Sequence, residues 1–394
     1  MAADALSSSD LDAVAAVHAA DATVADTHVR VAVQSLGGEA VACLERPLES
    51  CVLDLKGAIQ CHSTARVAPV LQHLMHGEVV LKDKQTLKEL GFVGTVTVTL
   101  IVKNLDVDDY IDRLLNQNGS IERADVEDMK ILCAKAEEAF LREKPLLELQ
   151  PPLVVAGSIH GCADQLHHIF RSSGGLEASQ YLFLGNYVSR GKRPTETFVL
   201  LLLCKLKYPS SMHLLRGRQE CQQVQRIDGF FEGCKRRLDV RTWKSFCQVW
   251  NSMPYAAVIQ SRILCLPSGL SPELSTLDQL RELKRPAVVP DEGLVCDLLW
   301  SDFDLSIEGW RDFTDAGIGH TFGPDVLEAF LGQNSLDALI CSQRQVKAVF
   351  SASNARLWSV FSASNYCGEY ENQGAVLLVD EALDISAKMH DLPW

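Results

Sequence analysis

Five short stretches with glycine or polar residues constrain the fold of this 394-residue chain, because most of them follow a strand-like apolar run. They are GSIHG (157–161), GNYVSRG (185–191), LLRGRQE (214–220), PSGLSPEL (267–274) and LICSQRQ (339–345). Glycine allows a strand to end in a sharp turn, since it adopts backbone conformations that a Cβ disfavours. The stretches therefore predict a site built from loops at strand ends.

Strands and helices alternate from residue 151 onwards, after the helix-breaking Pro151-Pro152. Seven runs are strand-like, namely LVVAG, YLFLGNYV, MHLLRG, YAAVI, RILCLPSG, ALICSQ and AVLLVD. Three others are helix-like, namely DQLHHIF, ETFVLLLLCKLK and PDVLEAFL. Residues 105–150 read as helical, and Gly119 is a candidate end for the first of these helices. The pattern predicts an α/β sandwich.

Residues 28–103 have the pattern of a small separate domain. HVRVAVQSL alternates apolar and polar residues, Gly37-Gly38 marks a hairpin turn, and AVACLERPL, CVLDLKGAI and TVTVTLIVK read as strand, helix and strand. The order resembles a ubiquitin-like domain, most closely in QHLMHG, VVLKDKQTLKELG and TVTLIV. The resemblance implies a β-grasp fold, with Met75 either in the family's apolar recognition patch or simply packed.

The segment 1–27 carries five Asp and no Lys or Arg, and it is rich in Ala and Ser. It offers little apolar surface to bury, so we expect an acidic, mobile tail. The chain as a whole carries a net charge of -14, which argues against partners such as nucleic acid or an anionic membrane. We therefore expect protein partners.

The thirteen cysteines include no C-x-x-C pair, and the first residues lack the basic and apolar regions of a signal peptide. No apolar run reaches the length of a membrane-spanning helix. We expect reduced thiols and a cytoplasmic or nuclear location.

The glycine-containing stretches resemble the metal-dependent Ser/Thr phosphoprotein phosphatase family, whose pattern is GDxHG, GDxVDRG, RGNHE, HGG and a final His. The resemblance spans about 105–380 and includes RIDGFFEGCKRR, GLVCDLLWSD and FSASNYCGEYENQGAV, which are similar to the type-one branch. It implies a calcineurin-like metallophosphatase β-sandwich flanked by helices over 105–394. In an active member it also implies two divalent metals, of manganese or iron/zinc type.

The side chains that carry the family's chemistry are largely replaced. The six metal-ligand positions hold Ser158, His160, Asn186, Arg218, Pro267 and Arg344, of which His160 alone keeps the family's residue. The general-acid position holds Gln219, and the position that supports it holds Ser189. Of the two phosphate-binding arginines, Arg190 is kept, whereas the other position is Ala316.

Arginine at two ligand positions opposes metal binding. A unit charge about 4 Å from a dication is repelled by roughly 8 kcal/mol at an effective dielectric of about 20. Arginine cannot relieve this repulsion by losing a proton. We therefore expect no metal cofactor and no catalytic residues, because Gln219 cannot act as a general acid.

The arginines suggest a different use of the site. Arg190, Arg218 and Arg344 are predicted to converge beside Tyr366 and to bind phosphate, since guanidinium groups bind phosphate bidentately. Arg216 lies nearby in sequence. The alternative is that Arg218 and Arg344 fill the empty space and pair with carboxylates such as Glu220 or Asp164.

Three functions follow from these observations. The first is a pseudophosphatase, a phosphatase-like scaffold or phosphate- and phosphoprotein-binding module that is not an enzyme. The second is a divergent but active metal-dependent protein-serine/threonine phosphatase centred on His160. The third is a ubiquitin-pathway adaptor, in which residues 28–103 bind ubiquitin-receptor proteins.

Overall fold

The computed structural model describes residues 27–64, 66–312, 317–342 and 348–394. These residues divide into two compact units, one ending at Leu105 and the other running from Asp106 to Trp394. The acidic tail expected over 1–27 lies outside the described residues, apart from its last residue. Ala316 and Arg344 also lie outside them.

The first unit is one mixed sheet packed on a helix. Its elements are β1 (His28–Ser35), β2 (Ala40–Pro47), α1 (Val52–His62), a 3-10 turn (Pro69–Leu71), β3 (Gln72–His76), β4 (Val79–Val80) and β5 (Thr95–Val102). The strand order is β2-β1-β5-β3-β4, with β1 parallel to β5 and the other pairs antiparallel. Alternate residues of β1 and β5 are buried against α1. This is the β-grasp topology predicted from the sequence.

The second unit contains helices that surround two sheets. The helices are α2 (Val107–Leu115), α3 (Val126–Arg142), α4 (Ala163–Ser172), α5 (Pro194–Lys207), α6 (Gln222–Ile227), α7 (Phe230–Arg237), α8 (Val240–Ser252), α9 (Leu277–Arg281), α10 (Leu294–Trp300) and α11 (Pro324–Gln333). Met129, Leu132, Cys133, Ala136 and Phe140 of α3 are buried, as their spacing predicts.

The strands of the second unit form a sandwich. They are β6 (Leu146–Leu149), β7 (Leu153–Ala156), β8 (Tyr181–Phe183), β9 (Met212–Leu214), β10 (Ala256–Ile259), β11 (Ile263–Cys265), β12 (Asp302–Phe303), β13 (Trp310–Asp312), β14 (His320–Phe322), β15 (Ala338–Cys341), β16 (Val349–Ala352), β17 (Leu357–Val360), β18 (Gly374–Val379) and β19 (Ile385–His390). One sheet has the order β16-β17-β15-β11-β10-β6, and the facing sheet has the order β19-β18-β7-β8-β9. A smaller sheet has the order β12-β14-β13.

The core between the two large sheets combines apolar side chains from both, including Val155, Leu182, Ile340 and Leu377. A second core lies between the first sheet and α9, α10 and α11. Because strands here are covered on both faces, they read as continuous apolar runs in the sequence.

Two local features differ from the pattern in the sequence. Helix α2 ends at Leu115, before Gly119, whose N–H donates to the carbonyl of Arg113 over 2.8 Å. The hexapeptide VFSASN occurs twice in the sequence, at 349–354 and 360–365, and its copies adopt different structures: the first forms β16, and the second begins at the last residue of β17 and runs into a loop. Identical hexapeptides diverge because neighbouring strands decide whether a segment pairs.

In the part of the chain that the structure describes, no helix combines the length and apolarity needed to span a membrane. All thirteen cysteines are free thiols.

His213 makes the stability of the second unit sensitive to acid. It lies buried on β9, and burial, followed by the charge of nearby Lys205, lowers its pKa to about 4. The unfolded chain binds this proton near pH 6.5, so stability is full above that pH and falls as the pH decreases towards 4. When the pH is lowered from 7 to 5, we expect this histidine to reduce the free energy of unfolding by about 2 kcal/mol.

Urea unfolding of wild type and His213→Gln at both pH values measures this contribution, which should be missing from the variant. His28→Gln, which removes an exposed histidine of the first unit, should keep the full pH dependence. Equal pH dependence in wild type and His213→Gln would contradict the assignment.

Candidate functional site

The predicted site loops lie at matching edges of the two large sheets. Strands β7, β8 and β9 are parallel, so the loops that follow them leave the same edge of their sheet. Strands β11, β15 and β17 are also parallel and place their following loops at one edge of the other sheet. An isolated parallel bridge between Ser158 and Phe361 joins the two edges.

Glycines allow these loops to approach one another closely. Gly185 has a φ of +106°, and a Cβ on it would lie 2.5 Å from the backbone of Gly217. A Cβ on Gly157 would lie 2.1 Å from the carbonyl oxygen of Val360. The loops therefore contact each other through their backbones, and side chains larger than hydrogen are excluded at these points.

Glu220 joins two of the loops. Its carboxylate is inaccessible to solvent and accepts the backbone N–H groups of Asn186 (2.7 Å), Tyr187 (2.8 Å) and Gly217 (3.0 Å). Burial raises its pKa to about 7, and the same hydrogen bonds oppose that rise. Glu220 therefore supports the backbone, and the suggestion that it pairs with Arg218 is wrong.

Two of the expected ligand positions, Ser158 and Asn186, form a neutral hydrogen-bond network. The Nδ2 group of Asn186 donates to Ser158 Oγ over 2.9 Å, and Ser158 Oγ donates to the carbonyl of Ser342 over 3.0 Å. Asn186 Oδ1 accepts the backbone N–H of Gln219 over 3.2 Å. Hydroxyl and amide groups therefore hydrogen-bond to one another at positions where the phosphatase pattern has carboxylates.

Three other expected positions lack the groups that catalysis requires. The side-chain oxygen of Gln219 accepts a hydrogen bond from Gln225 over 2.6 Å. Ser189 Oγ is buried without a hydrogen-bond partner among the described residues. Pro267 is buried and has no side-chain donor atom.

His160, the retained ligand residue, is a neutral imidazole in this site. Its ring centroid lies 4.8 Å from that of Tyr366, and its Nδ1 atom is buried without a hydrogen-bond partner in the described chain. Burial, followed by the charges of Arg218 and Arg190, lowers the pKa of His160 to about 3.

Arg190, Arg218 and Tyr366 are brought together beside His160. Burial raises the pKa of Tyr366 to about 12, while both arginines oppose that rise. Arg190 is exposed, and a hydrogen bond with Cys367 contributes most to its raised pKa. Phosphate binding by these residues stays a prediction, and Arg344, the fourth member of the predicted set, lies outside the described residues.

The positive charge of Arg218 is poorly compensated by neighbouring anionic groups. Its guanidinium carbon lies 5.6 Å from the ring centroid of Trp300, and its Nε atom is buried without a hydrogen-bond partner in the described ranges. Burial lowers its pKa, with Tyr366 and two carboxylates, Asp302 and Asp228, acting in the opposite direction. No described carboxylate, Asp164 included, lies within ion-pair distance of Arg218.

Arg216 does not belong to this cluster. Its guanidinium donates to the carbonyls of Glu220 (3.0 Å) and Ala287 (2.7 Å) and to Asn251 Oδ1 (2.9 Å). Through these hydrogen bonds, Arg216 joins the 214–220 stretch to Asn251 and Ala287 in the interior.

The residues at the expected metal positions do not fit a pair of divalent metals. Within the described ranges, no group of three or more His, Cys, Asp or Glu side chains lies close enough to hold a metal ion. The Ser158 hydroxyl and Asn186 amide are neutral, and Arg218 brings a positive charge into the same cluster. Hard dications require anionic oxygen ligands to offset their charge.

The segment 391–394 packs against the outer side of Tyr366, which no pattern in the sequence indicates. The Trp394 ring centroid lies 5.1 Å from that of Tyr366. Lys192 Nζ donates to the Trp394 carbonyl, and Ser364 Oγ contacts both backbone polar groups of Leu392. Through Trp394, these contacts join Tyr366 to Lys192, which lies two residues after Arg190.

Residues 151–342 match the calcineurin-like phosphoesterase family. The second unit therefore contains a calcineurin-like phosphoesterase domain. The predicted metallophosphatase sandwich is confirmed by this match and by the sheet arrangement.

The phosphoesterase domain is also similar to solved structures. A protein serine/threonine phosphatase from Saccharomyces cerevisiae, described as similar to human phosphatase PP5, is 26% identical with a TM-score of 0.67. The similarity covers 73% of this chain and 96% of the yeast chain. A cold-active protein-tyrosine phosphatase of a psychrophile Shewanella is 15% identical with a TM-score of 0.46, which is too low to bear on fold or function.

Ser342 and Trp300 belong to the site but are absent from the predicted set. Both lie within stretches that the sequence marks, LICSQRQ and GLVCDLLWSD, so their positions could have been suspected. Their partners, Ser158 and Arg218, are distant in sequence, and only the fold pairs them.

Arg218 should lower the stability of the phosphoesterase domain. A partly buried cation without an ion pair costs desolvation energy, and Arg190 adds repulsion. We expect Arg218→Met to raise the free energy of unfolding by about 1 kcal/mol. Denaturant unfolding at pH 7 measures this change.

Arg171→Met provides a matched control, because Arg171 is an exposed arginine in the last turn of α4. That variant should leave stability unchanged. A clear loss of stability in Arg218→Met would show that the arginine is a packing element instead.

Proposed function

We propose that this protein is a pseudophosphatase, a phosphatase-like module that binds phosphate or a phosphoprotein segment without hydrolysing it. One observation carries the proposal: Ser158 and Asn186 bond to each other where metal ligands are expected, while Arg190 and Arg218 lie beside Tyr366. The family's fold is retained, and the groups that would activate water are replaced.

Hydrolysis needs an activated nucleophile and a proton for the leaving group. Gln219 stands at the general-acid position and cannot supply that proton. His160 is neutral and lies against Phe361 and Tyr366, so it is poorly placed for either role. These substitutions support the absence of family catalysis.

Phosphate binding is supported by charge and by unused donors. A phosphate dianion beside Arg190 and Arg218 would offset two like charges that repel each other. It would also accept a hydrogen bond from the Nε group of Arg218, which is buried without a partner among the described residues. The hydroxyl of Tyr366 stays protonated at neutral pH and can serve as a further donor.

The direct test is calorimetric titration of the full chain with a phosphoserine peptide and its unphosphorylated counterpart. We expect the phosphorylated peptide to bind at least about tenfold more tightly, because charge-assisted bonds to arginine are strong. Arg218→Met and Arg190→Met should each remove this preference, whereas Arg171→Met should retain it. Equal binding of the two peptides by the wild type would refute phosphate recognition.

Metal content separates this proposal from the active alternative. We expect the purified chain, equilibrated with manganese and desalted, to retain far fewer than one metal per molecule, because the ligand positions lack carboxylates. About two metals per molecule, with phosphatase activity that disappears in His160→Ala, would instead establish a divergent metal-dependent phosphatase. Tight zinc or iron retention would have the same meaning.

The β-grasp unit favours a second candidate, an adaptor for ubiquitin-receptor proteins in the cytoplasm or nucleus. Its sheet has the predicted topology, and Met75 on β3 is partly exposed. Binding of such receptors by the full chain, lost in Met75→Asp and kept in Lys82→Ala, would support it. No binding by the wild type would remove the adaptor role without affecting the phosphate site.

A further inference from the structure

We propose that the segment bound by the arginine site is an acidic phosphopeptide, and that a basic surface on α6, α7 and α8 binds its acidic residues. We define the basic surface as Arg226, Lys235, Arg236, Arg241 and Lys244. The inference rests on the proposed phosphate binding and names the class of ligand that the same site would take.

The distribution of charge points to this surface. Residues 222–244 contain six Lys or Arg and three Asp or Glu, so this segment carries a charge of +3. The whole chain carries -14, so the remaining residues carry -17. A positive segment in such an acidic protein creates a local potential that attracts anionic ligands.

The cations of the basic surface are available to a ligand. All five are exposed, and Arg226, Arg236, Arg241 and Lys244 form no ion pair with a carboxylate in the described chain. Lys235 has a long contact of 3.5 Å with Glu232, and both side chains are more than half exposed. Arg237 is different, because it pairs with Glu196 and supports the fold.

Aromatic contacts bring Arg226 and Lys235 of the basic surface to one pair of rings. The guanidinium of Arg226 lies 5.4 Å from the ring centroid of Trp243 on α8. Trp243 packs edge-on against Phe231 of α7 at 4.6 Å, and Lys235 lies 5.9 Å from the Phe231 centroid. Cations from α6 and α7 are thus arranged around an aromatic pair from α7 and α8, and Arg241 and Lys244 flank Trp243 in the sequence of α8.

The basic surface adjoins the arginine site through α6. Gln225 of α6 donates to the side-chain oxygen of Gln219, the residue next to Arg218, over 2.6 Å. Asp228, which follows α6, also raises the pKa of both Arg190 and Arg218. Helix α7 begins two residues later, and its eight residues extend about 12 Å. An extended peptide advances about 3.3 Å per residue, so acidic residues about three to five positions from the phosphoresidue would reach the basic surface.

An acidic peptide suits this surface better than a nucleic acid does. Single-stranded nucleic acids stack their bases on exposed aromatic rings, whereas Trp243 is buried. The exposed apolar side chains here are aliphatic, with Ile227 86% and Val240 40% exposed. Aliphatic contacts between cations are suited to peptide side chains.

The test compares three fluorescent peptides by anisotropy on the full chain. One carries phosphoserine with Glu at the third to fifth positions on both sides, the second has Gln in place of Glu, and the third has Glu but no phosphate. We expect the acidic phosphopeptide to bind about fivefold more tightly than the Gln phosphopeptide at about 50 mM salt. This advantage should decrease strongly at about 500 mM salt.

Removal of the surface locates the effect. The triple variant Arg236→Ala, Arg241→Ala and Lys244→Ala should lose the advantage of the acidic peptide and keep its affinity for the Gln phosphopeptide. A matched control, Lys82→Ala, Lys84→Ala and Lys284→Ala, removes three exposed lysines elsewhere and should keep the advantage. Equal losses in both triple variants would show a general charge effect and overturn the inference.

The outcomes distinguish the inference from the proposed function. Equal binding of the Glu and Gln phosphopeptides by the wild type would overturn the acidic ligand and leave phosphate binding intact. Failure of both phosphopeptides to bind would overturn the proposed function and this inference together. Tighter binding of a short single-stranded RNA than of the acidic phosphopeptide, lost in the first triple variant, would reassign the surface to nucleic acid.

Discussion

The buried carboxylate of Glu220 is the interaction on which the site depends. It accepts hydrogen bonds from backbone N–H groups of both the 185–191 loop and the 214–220 stretch. These N–H groups lie beyond the strand ends and have no partner in a sheet. Buried backbone donors without partners are costly, so two strand ends can meet here only if an acceptor lies between them. The loops that present Asn186, Arg190 and Arg218 keep their positions because of this residue.

The centre and the rim of the site have different chemistry. At the centre, Ser158, Asn186 and Ser342 satisfy one another without charge, so the interior is stable without a metal ion to screen repelling carboxylates. At the rim, Arg218 leaves a partly buried charge uncompensated, which costs stability. Groups that reduce stability and face solvent are candidates for ligand binding, and the basic surface beside them extends the same positive region.

The sequence predicted most of the fold because its signals are local. The apolar run at 153–156, the stripe from Met129 to Phe140 and the glycines at 185 and 217 each reflect a constraint within a few residues. Helix α2 ends a few residues before Gly119 because Asn118 adopts the left-handed conformation (φ +51°) and the Gly119 N–H closes the helix end on the carbonyl of Arg113. The candidate site was predicted less completely: Ser342, Trp300 and Trp394 act through partners far away in the chain.

The sequence by itself determined which chemical groups exist at the strand ends: a serine and an amide in place of carboxylates, a glutamine in place of an acid, and two arginines. It could not determine which of these groups would meet. Only the tertiary structure decided that Arg216 turns inward while Arg218 lies beside Tyr366, and that Glu220 bonds to backbone instead of pairing with Arg218. The reason is physical: side-chain direction and burial at a loop depend on contacts between distant segments, and neighbouring residues do not specify them.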